Sequence, residues 1–462
     1  MDRAIATDAS SHKKHATVAK MEMLLGPSKP IFVSIAGVAL LMLLWSFSPS
    51  TRSPNMFEAA KMTEALGKDG GAVGGATKDC PTVSDIQGLD LAYDPADLTF
   101  YDDPTLSYEI GNPINDWDGK RREWLKLHPS FATGAEERVL MVTGSQPEPC
   151  KEPIGDHLNL RFFKNKVDYC RIHGYDIFYN NAFFHPKMTS WWTKLPTLRA
   201  TMLAHPEAEW IFWVDSDAVF TDMDFKLPLE RYKNHNLVLH GYHEKVYEKR
   251  DWGGVNAGVF FIRNCQWSME LLEVWAGMGP MTPNFTKWGQ ILTSTLTGRI
   301  EPESDDQSAL VYLILEEKEK FGNKIYIENE YQLSSYWVEA LKKLDTISDN
   351  YARIEKAVAE LQRRHAEKVS EHYAAVMRVA MDNKFGGDGG EKRPFVMHFI
   401  VCRPCSGKWG FSKEECLNGM EKALNFADNQ VLHNYGFARS DLMNTSSVYP
   451  LPVGVSSDNK EN

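Results

Sequence analysis

The sequence predicts an α/β fold built on a parallel β-sheet with crossover helices. Between residues 138 and 214, short apolar runs alternate with longer segments of helical period, which is the order typical of a parallel sheet. Hydrophobic residues make up 43% of the 462-residue chain, enough to bury a large core. Asp215 and Asp217 directly follow one apolar run, at the edge where such sheets bind ligands.

The predicted elements follow one another regularly along the chain. Before Asp215 their order is strand 138–144, helix 156–173, strand 175–179, helix 191–204 and strand 210–214. Gly174 ends the first helix, because glycine readily adopts the left-handed conformation that closes a helix. Four more strands are predicted further along, at 236–240, 258–262, 324–327 and 395–400.

Composition divides the chain into five regions. Residues 82–129 are rich in Asp, Pro and Tyr, and we expect them to be irregular and packed on the main domain. Residues 350–384 have helical propensity and a charged face, which indicates a surface helix pair or a helical insertion without chemistry. The predicted regions are a cytosolic tail (1–29), a signal anchor (30–47), a flexible Gly-rich stem (48–80), the main domain (81–440) and a C-terminal tail (441–462).

The segment 31–47 carries no charge and reaches the lower limit of length for a transmembrane helix. Five basic residues precede it and only Arg52 and Lys61 follow closely, so the positive-inside rule places the N-terminus in the cytosol. A cleaved signal peptide fits less well, because no small-residue cleavage site follows closely. A buried core helix fits poorly beside so polar a tail. We therefore expect a single-pass anchor, with the rest of the chain in a lumen or outside the cell.

Other features agree with that location. Two sequons, at Asn284 and Asn444, are predicted glycosylation sites. In an oxidising compartment the seven cysteines should mostly pair and leave one over; they are Cys80, Cys150, Cys170, Cys265, Cys402, Cys405 and Cys416. Zinc binding by Cys402 and Cys405, which have CxxC spacing, is a weaker alternative, because no second CxxC or histidine pair has the spacing of zinc ligands. The net charge of −11 argues against a nucleic-acid partner.

Asp215 and Asp217 are the candidate metal ligands. If the strand continues through them, their side chains point to the same side of the backbone. Two convergent carboxylates at a buried strand end favour a hard divalent cation, which compensates their charge. The pattern is also that of aspartyl-nucleophile phosphatases, but those carry it on the first strand of the domain, whereas two strands precede it here. Nucleotide-sugar glycosyltransferases are the competing class.

Six sequence blocks together decide between these classes. They are WIFWVDSDAVFTD (210–222), NLVLHG (236–241), VNAGVFFIRNCQWS (255–268), DDQSA (305–309), HFIVCRPC (398–405) and LNFADNQ (424–430). In this order they resemble glycosyltransferase family 34, the plant α-glycosyltransferases that comprise xyloglucan 6-xylosyltransferases and galactomannan galactosyltransferases. The resemblance covers residues 80–440 and is closer to the galactomannan branch. It implies a GT-A type, nucleotide-sugar-binding Rossmann-like domain, preceded here by an N-terminal transmembrane helix.

The resemblance assigns the metal and the donor nucleotide to particular residues. It implies Mn²⁺ held by Asp215, Asp217 and His398, with Ser216 in the donor site; a hydrogen-bonded core histidine is the alternative for His398. Further donor contacts implied for a UDP-sugar are Thr143, Gly144, Ser145, Lys194, Arg199 and Arg403. An ordinary strand-to-helix turn and a solvated helix face are the alternatives for several of these. Val401 departs from the glycine expected there, which affects how closely the loop approaches the phosphate.

The donor sugar is assigned to two further clusters. Asn256, Ala257 and Gly258 resemble the family's sugar-binding shelf, although Gly258 also suits tight packing. Asp305, Asp306 and Gln307 resemble its catalytic triplet and equally suit a helix N-terminus. The implied mechanism retains the α configuration, because the acceptor hydroxyl attacks the anomeric carbon from the same face from which the diphosphate leaves. Gln307 then lies beneath the anomeric carbon. The candidate stacking surfaces for a polysaccharide are Trp191, Trp192 and Trp337.

The sequence therefore predicts a type II Golgi membrane enzyme with a lumenal catalytic domain. The expected reaction is transfer of galactose from UDP-galactose, in α-(1→6) linkage, to a β-mannan backbone. A UDP-xylose-dependent xyloglucan 6-xylosyltransferase is the alternative within the family. A non-catalytic scaffold of a polysaccharide synthase complex is the alternative of another class. Assembly as a homo- or hetero-oligomer with other wall-polysaccharide synthases stays open.

Overall fold

The computed structural model describes residues 103–451 except 300, 363–365, 386–391 and 445. The predicted tail, anchor and stem, together with Cys80, lie outside the described residues. Within the described part of the chain, no helix combines the length and apolar character needed to span a bilayer.

The described strands are short. They are β1 Val139–Gly144, β2 Asp176–Asn180, β3 Trp210–Val214, β4 Ala218–Phe220, β5 Leu237–Gly241, β6 Val255–Arg263, β7 Ile325–Glu328, β8 Ser335–Tyr336, β9 Val396–His398, β10 Cys402–Arg403, β11 Lys408–Trp409, β12 Phe437–Arg439 and β13 Val448–Pro450. Each of the seven strands predicted from the sequence is present.

The described helices vary more in length. They are α1 Trp117–Leu127, α2 Pro129–Ala132, α3 Pro153–His173, α4 Lys194–Ala204, α5 Gln266–Ala276, α6 Phe285–Thr295, α7 Asp306–Glu316, α8 Lys318–Phe321, α9 Trp337–Leu341, α10 Leu344–Ala357, α11 Ala359–Gln362, α12 Ser370–Phe385 and α13 Lys413–Asn434. Gly174 ends α3 with a positive φ of 71°, as the sequence predicted.

The main sheet is mixed, which corrects the prediction of a parallel sheet. Its six strands lie in the order β2-β1-β3-β6-β5-β7. The strands β1, β2 and β3 are parallel to one another, but β6 is antiparallel to both β3 and β5. The reason is the connection before β6: residues 242–254 form short turns and no crossover helix, so the chain re-enters the sheet from the end at which β5 leaves it.

The alternating side chains of β3 divide the core between the two faces of the sheet. Phe212 and Val214 pack against one set of buried residues, with α3 and α13, while Ile211 and Trp213 pack against another, with α4, α5 and α7. All five residues of β3 are buried, from Trp210 to Val214. Covered on both sides, the strand is held rigidly, and so is the turn that follows it.

A second, smaller sheet lies beside the main one. It has the order β4-β9-β8, in which β4 is antiparallel to β9 and β8 is parallel to it. The register pairs Ala218 with His398 and Tyr336 with His398. This pairing carries a histidine from late in the chain to the turn after β3.

Part of the segment 82–129 is helical, which corrects the prediction of irregular structure. The helix α1 lies within it and begins at Trp117, whose ring is fully buried. The Trp117 Nε1–H donates to Asn264 Oδ1 at 2.7 Å, and its backbone N–H donates to Gln266 Oε1 at 2.8 Å. These contacts with distant residues stabilise α1, which the local sequence periodicity does not predict.

The region predicted as a helix pair is helical in α10 and α12. The two helices are not only a surface feature, because Tyr351, Ile354, Met377 and Met381 are buried in the core.

Four of the six described cysteines form disulfides, Cys150–Cys405 and Cys402–Cys416. Cys170 and Cys265 are free thiols among the described cysteines. Because Cys80 lies outside the described residues, the expectation that one of the seven is left over stays a prediction. Cys170 is buried in the core, with its sulfur 3.6 Å from Met141 Sδ. Burial raises the pKa of both thiols.

Both sequon asparagines, Asn284 and Asn444, are exposed. Asn284 immediately precedes α6, and Asn444 lies between β12 and β13. Each is therefore accessible to a modifying enzyme.

Candidate functional site

The turn after β3 is the centre of the site. The strand ends at Val214, and the Ala218 N–H donates to the Asp215 carbonyl at 3.2 Å to close the turn. The Asp215 N–H donates to the Gly258 carbonyl of β6 at 2.8 Å. The strand ends before Asp215, so the condition of a continuous strand is not met, and the two carboxylates converge because of a tight turn.

Asp215, Asp217 and His398 form a group able to hold a metal ion. One ligand atom from each lies within 4.8 Å of the others. His398 Nε2 is 3.1 Å from Asp217 Oδ1 and 3.8 Å from Asp215 Oδ2. His398 is buried at the end of β9, whereas both carboxylates are partly exposed. The structure thus brings the three predicted ligands together.

The electrostatics of this group favour a cation. Burial lowers the pKa of His398, but the charges of Asp217 and Asp215 and the hydrogen bond to Asp217 outweigh it and raise the pKa above the usual value. Burial raises the pKa of Asp217, but His398 more than offsets this and the pKa is lowered. The two carboxylates therefore stabilise positive charge at the His398 imidazole, and a divalent cation bound there would interact favourably with the same carboxylates.

Gly258 leaves the space that the ligand side chains occupy. A Cβ built on this residue would lie 2.3 Å from His398 Cε1 and 2.6 Å from Asp215 Oδ2. Both distances are far below van der Waals contact, so any larger residue would displace the two side chains. The geometry and the donor set of one imidazole and two carboxylates fit a divalent transition metal.

Two residues that sequence reasoning missed support the carboxylates. The Trp213 Nε1–H donates to Asp215 Oδ1 at 2.6 Å. On α3, the Lys166 ammonium donates to the carbonyls of Ser216 at 3.1 Å and Ala218 at 2.8 Å. Burial lowers the pKa of Lys166 to about 7. Lys166 lies among other charged residues in a helical segment, so the sequence alone did not indicate that it contacts the turn.

Lys194 and Asp306 form a buried ion pair beside Asp215. Lys194 Nζ is 2.6 Å from Asp306 Oδ2 and 3.6 Å from Asp215 Oδ1, and it donates to the Ala257 carbonyl at 2.7 Å. Burial raises the pKa of Asp306 to about 6, although Lys194 opposes the shift. Lys194, predicted as a diphosphate contact, therefore lies at the floor of the site and is bonded to protein groups.

Asp305 and Gln307 flank Asp306 and have different partners. Asp305 caps α7 by accepting the Ser308 N–H at 2.8 Å, and its other oxygen is 2.9 Å from Arg299. The Gln307 Oε1 accepts the Ala257 N–H at 3.1 Å, and its amide nitrogen donates to the Trp252 carbonyl at 3.3 Å. The helix-cap interpretation therefore holds for Asp305, while Gln307 is fixed against β6.

The sugar-shelf residues are also fixed in place. The Asn256 Oδ1 accepts the N–H groups of Gly258 at 3.0 Å and Val259 at 3.2 Å, and its amide nitrogen is 3.4 Å from His398 Nδ1. Asn256 therefore links β6 to the candidate metal group.

A cavity of about 1350 Å³ connects these features. The predicted residues that line it are Gly144, Ser145, Lys194, Asp215, Ser216, Asp217, Asn256, Ala257, Gly258, Asp305, Asp306, Gln307, His398 and Arg403. Its volume is sufficient for a nucleotide-sugar-sized ligand together with part of an acceptor.

Arg199 and Thr143 do not line this cavity, which corrects two predicted donor contacts. The Arg199 guanidinium is fully buried and donates to the carbonyls of Ser107, at 3.0 Å, and Asn112, so it fixes the segment before α1. Thr143 is buried within β1. Gly144 does line the cavity, but its lack of a side chain is required by the neighbouring strand, because a Cβ would lie 1.9 Å from the Asn180 carbonyl oxygen.

The loop that contains Cys402 and Cys405, here called the disulfide-bonded loop, brings Arg403 to the cavity. Its guanidinium lies 5.8 Å from the centre of the Trp191 ring, which also lines the cavity. Val401 has a φ of 66°, a left-handed conformation that explains why a glycine is expected there.

The three candidate stacking tryptophans have different positions. Trp192 and Trp337 are buried in the core, so only Trp191 remains a candidate among the three. The Trp192 Nε1–H donates to the Ser304 carbonyl at 3.3 Å, and Trp337 stacks on Phe399. Both rings are thus used for packing.

Comparison with known proteins adds the family. The sequence model of the galactosyl transferase GMA12/MNN10 family matches residues 135–409. Glycosyltransferase 6 of Arabidopsis thaliana is 55% identical over 368 residues, covering 79% of this chain and 85% of its own length. Galactomannan galactosyltransferase 1 of Cyamopsis tetragonoloba is 55% identical over 368 residues, covering 79% of this chain and 83% of its own length. The matched residues include all of the cavity-lining groups from β1 to the disulfide-bonded loop.

Proposed function

Because the chain belongs to the galactosyl transferase GMA12/MNN10 family and is a glycosyltransferase, we propose that it transfers galactose from UDP-galactose to a β-mannan backbone. The transfer forms α-(1→6)-linked side chains with retention of configuration. The observation that carries the proposal is the convergence of Asp215, Asp217 and His398 at the cavity, in a chain 55% identical to a protein named as a galactomannan galactosyltransferase.

The three residues hold Mn²⁺ in this proposal. Two carboxylate oxygens and one imidazole nitrogen already lie within 4.8 Å of one another, and Gly258 leaves room for them. When bound, the cation neutralises charge on the departing diphosphate. The domain is then of GT-A type, with the nucleotide near Gly144 and Ser145 and the diphosphate near Ser216 and Arg403.

The donor sugar lies between β6 and the start of α7. Gln307 projects between the Ala257 N–H and the Trp252 carbonyl, where its amide forms hydrogen bonds at both ends. A neutral amide held in this way is a poor nucleophile, which supports attack from the same face over double displacement. Asp306, held by Lys194, is the carboxylate available to orient the sugar or the acceptor hydroxyl.

The predicted location belongs to the proposal too. The uncharged segment 31–47 follows a basic tail, which supports a type II anchor in the Golgi membrane with the catalytic domain in the lumen. The two disulfides and the exposed sequon asparagines are compatible with that compartment.

A donor and acceptor matrix tests the proposed reaction. The full-length chain, purified in detergent, is incubated with Mn²⁺, each of several UDP-sugars, and manno- or cello-oligosaccharides. The proposal predicts α-galactosylated manno-oligosaccharides, with the anomer assigned by NMR. If the only transfer observed is of xylose to cello-oligosaccharides, the proposed donor and acceptor are wrong, but the family assignment is unaffected.

Matched variants separate catalysis from a scaffold role. We expect Asp217→Asn to lose transfer and Asp349→Asn, which changes an exposed carboxylate of α10, to keep it. If Asp217→Asn restores polysaccharide synthesis in a knockout as well as the wild type does, the chain acts as a scaffold and the proposal is wrong.

A further inference from the structure

Lys166 is a buried side chain on the protein side of the Asp215–Asp217 turn, and its amine is the group that contacts the turn. Only 1% of the residue is exposed, and it extends from α3 toward the turn. Its ammonium donates to the carbonyl oxygens of Ser216 and Ala218, the two residues that flank Asp217. One side chain thus fixes the backbone on both sides of a candidate metal ligand.

The burial of this side chain calls for an explanation. A buried ammonium is costly unless it is well compensated. Among the described residues Lys166 forms no ion pair, and the charges of Asp217 and Asp215 act on it from a greater distance. Its hydrogen-bond partners are backbone carbonyls, and its other close neighbour is the Phe162 ring, 5.4 Å away. The free-energy cost of burying the charge is therefore offset mainly at the turn itself.

Two neighbouring residues of α3, Asn165 and Tyr169, contact other parts of the chain. Asn165 exchanges two hydrogen bonds with the backbone of Phe220, at 2.8 and 3.0 Å. The Tyr169 hydroxyl donates to the Phe225 carbonyl at 2.8 Å. These residues fix the chain after the turn, whereas Lys166 fixes the turn itself.

We propose that Lys166 is a positioning residue for the metal site. It holds the backbone from Ser216 to Ala218 so that the Asp217 carboxylate faces His398, and it acts on the cation without touching it. The inference rests on the proposed metal role of Asp215, Asp217 and His398. Groups in the shell around metal ligands typically change metal affinity by about 10- to 100-fold when removed.

Manganese binding tests this role directly. Free Mn²⁺ is measured by electron paramagnetic resonance during titration of the full-length wild type and of Lys166→Met, a variant of similar length without charge or donors. We expect Lys166→Met to raise the Kd for Mn²⁺ by about 10-fold or more. Lys166→Arg, which keeps the charge and the donors, should recover most of the affinity.

Asn165→Ala is the matched control. It removes hydrogen bonds of the same helix to the same segment, so we expect a lower Tm with an unchanged Kd. Equal Mn²⁺ affinity in the wild type and Lys166→Met overturns the inference, as does an equal loss in Asn165→Ala. If Lys166→Met does not fold, Lys166→Gln is measured against the same two outcomes. A wild type that binds no Mn²⁺ overturns the proposed metal role along with this inference.

Discussion

At the residue scale, the site depends on Gly258. Its hydrogen atom occupies the space where a methyl group would meet His398 and Asp215. Lys194 and Asp306 fill the other side of Asp215 as an ion pair, so the carboxylate has little freedom to move away. The ligand side chains therefore retain their positions only while residue 258 lacks a side chain.

We expect Gly258→Ala to weaken Mn²⁺ binding by at least about 10-fold, because the new methyl group displaces two ligands. The Kd is measured by titration, together with the Tm. Gly253→Ala is the control: it lines the same cavity, but the nearest atom to its Cβ would be Asp251 Oδ1 at 3.4 Å. Unchanged Mn²⁺ affinity in Gly258→Ala would show that the three residues are not the metal ligands.

Asp222 gives a second prediction at this scale. Burial raises its pKa to about 6, although Arg393 opposes the shift. The folded protein therefore holds the proton more strongly than the unfolded chain, and this contribution to stability is lost as pH rises from about 4 to 6. Relative to the wild type, Asp222→Asn should gain at most about 3 kcal/mol in free energy of unfolding over that range.

Urea unfolding of both proteins at pH 4.5 and pH 8 measures this difference. The prediction fails if the advantage of Asp222→Asn is the same at both pH values or is larger at the lower one.

Individual residues also show which parts of the site a single sequence does not predict. Asp215 and Asp217 were identified because two carboxylates follow an apolar strand, and His398 was identified through the family resemblance of the surrounding blocks. Lys194 and Arg199 lie on one helix and looked alike, yet one faces the cavity and the other is buried against Ser107. Only the packing of the segment before α1 separates the two, and a single sequence does not encode that packing visibly.

At the element scale, two disulfides fix the loop that carries Arg403. Cys402–Cys416 closes a short loop at the start of α13, and Cys150–Cys405 joins that loop to the start of α3. Together they tie β10 and β11 to the helix that holds Lys166. The position of Arg403 at the cavity depends on both links.

Peptide mapping without reduction should recover the pairs Cys150–Cys405 and Cys402–Cys416. The double variant Cys402→Ser with Cys416→Ser should lose about 3 kcal/mol in free energy of unfolding, because a loop of about 15 residues is no longer closed. Cys170, which is buried, should react with alkylating agents only after denaturation. A Cys402–Cys405 link, or rapid alkylation of Cys170 in the native protein, would contradict the structure.

Sequence patterns predicted the main-sheet strands and β9, but not the direction of β6 or the pairing within the small sheet. The pairing of Ala218 with His398 joins residues 180 positions apart, and the three-residue strand β4 was not predicted. The direction of β6 depends on how residues 242–254 turn, which is set by tertiary contacts. Topology of this kind is decided by packing between distant segments.

At the scale of the whole molecule, the main sheet, the small sheet and α7 together form one site that can hold a charged donor. The sheet supplies the turn after β3, the small sheet supplies His398, and α7 supplies Asp306 and Gln307. Each group lines one cavity, although together they come from three separate stretches of chain. Asp215, Asp217, His398 and Gly258 were named from the sequence, whereas the contacts of Lys166 and Trp213 with the turn after β3 are visible only in the structure.

The most direct test of metal binding by Asp215, Asp217 and His398 is anomalous X-ray scattering at the manganese edge, from crystals grown with MnCl₂ and UDP. We expect one strong peak within about 2.5 Å of an oxygen of Asp215, an oxygen of Asp217 and Nε2 of His398. A peak at other carboxylates, or none beside these three residues, would contradict it.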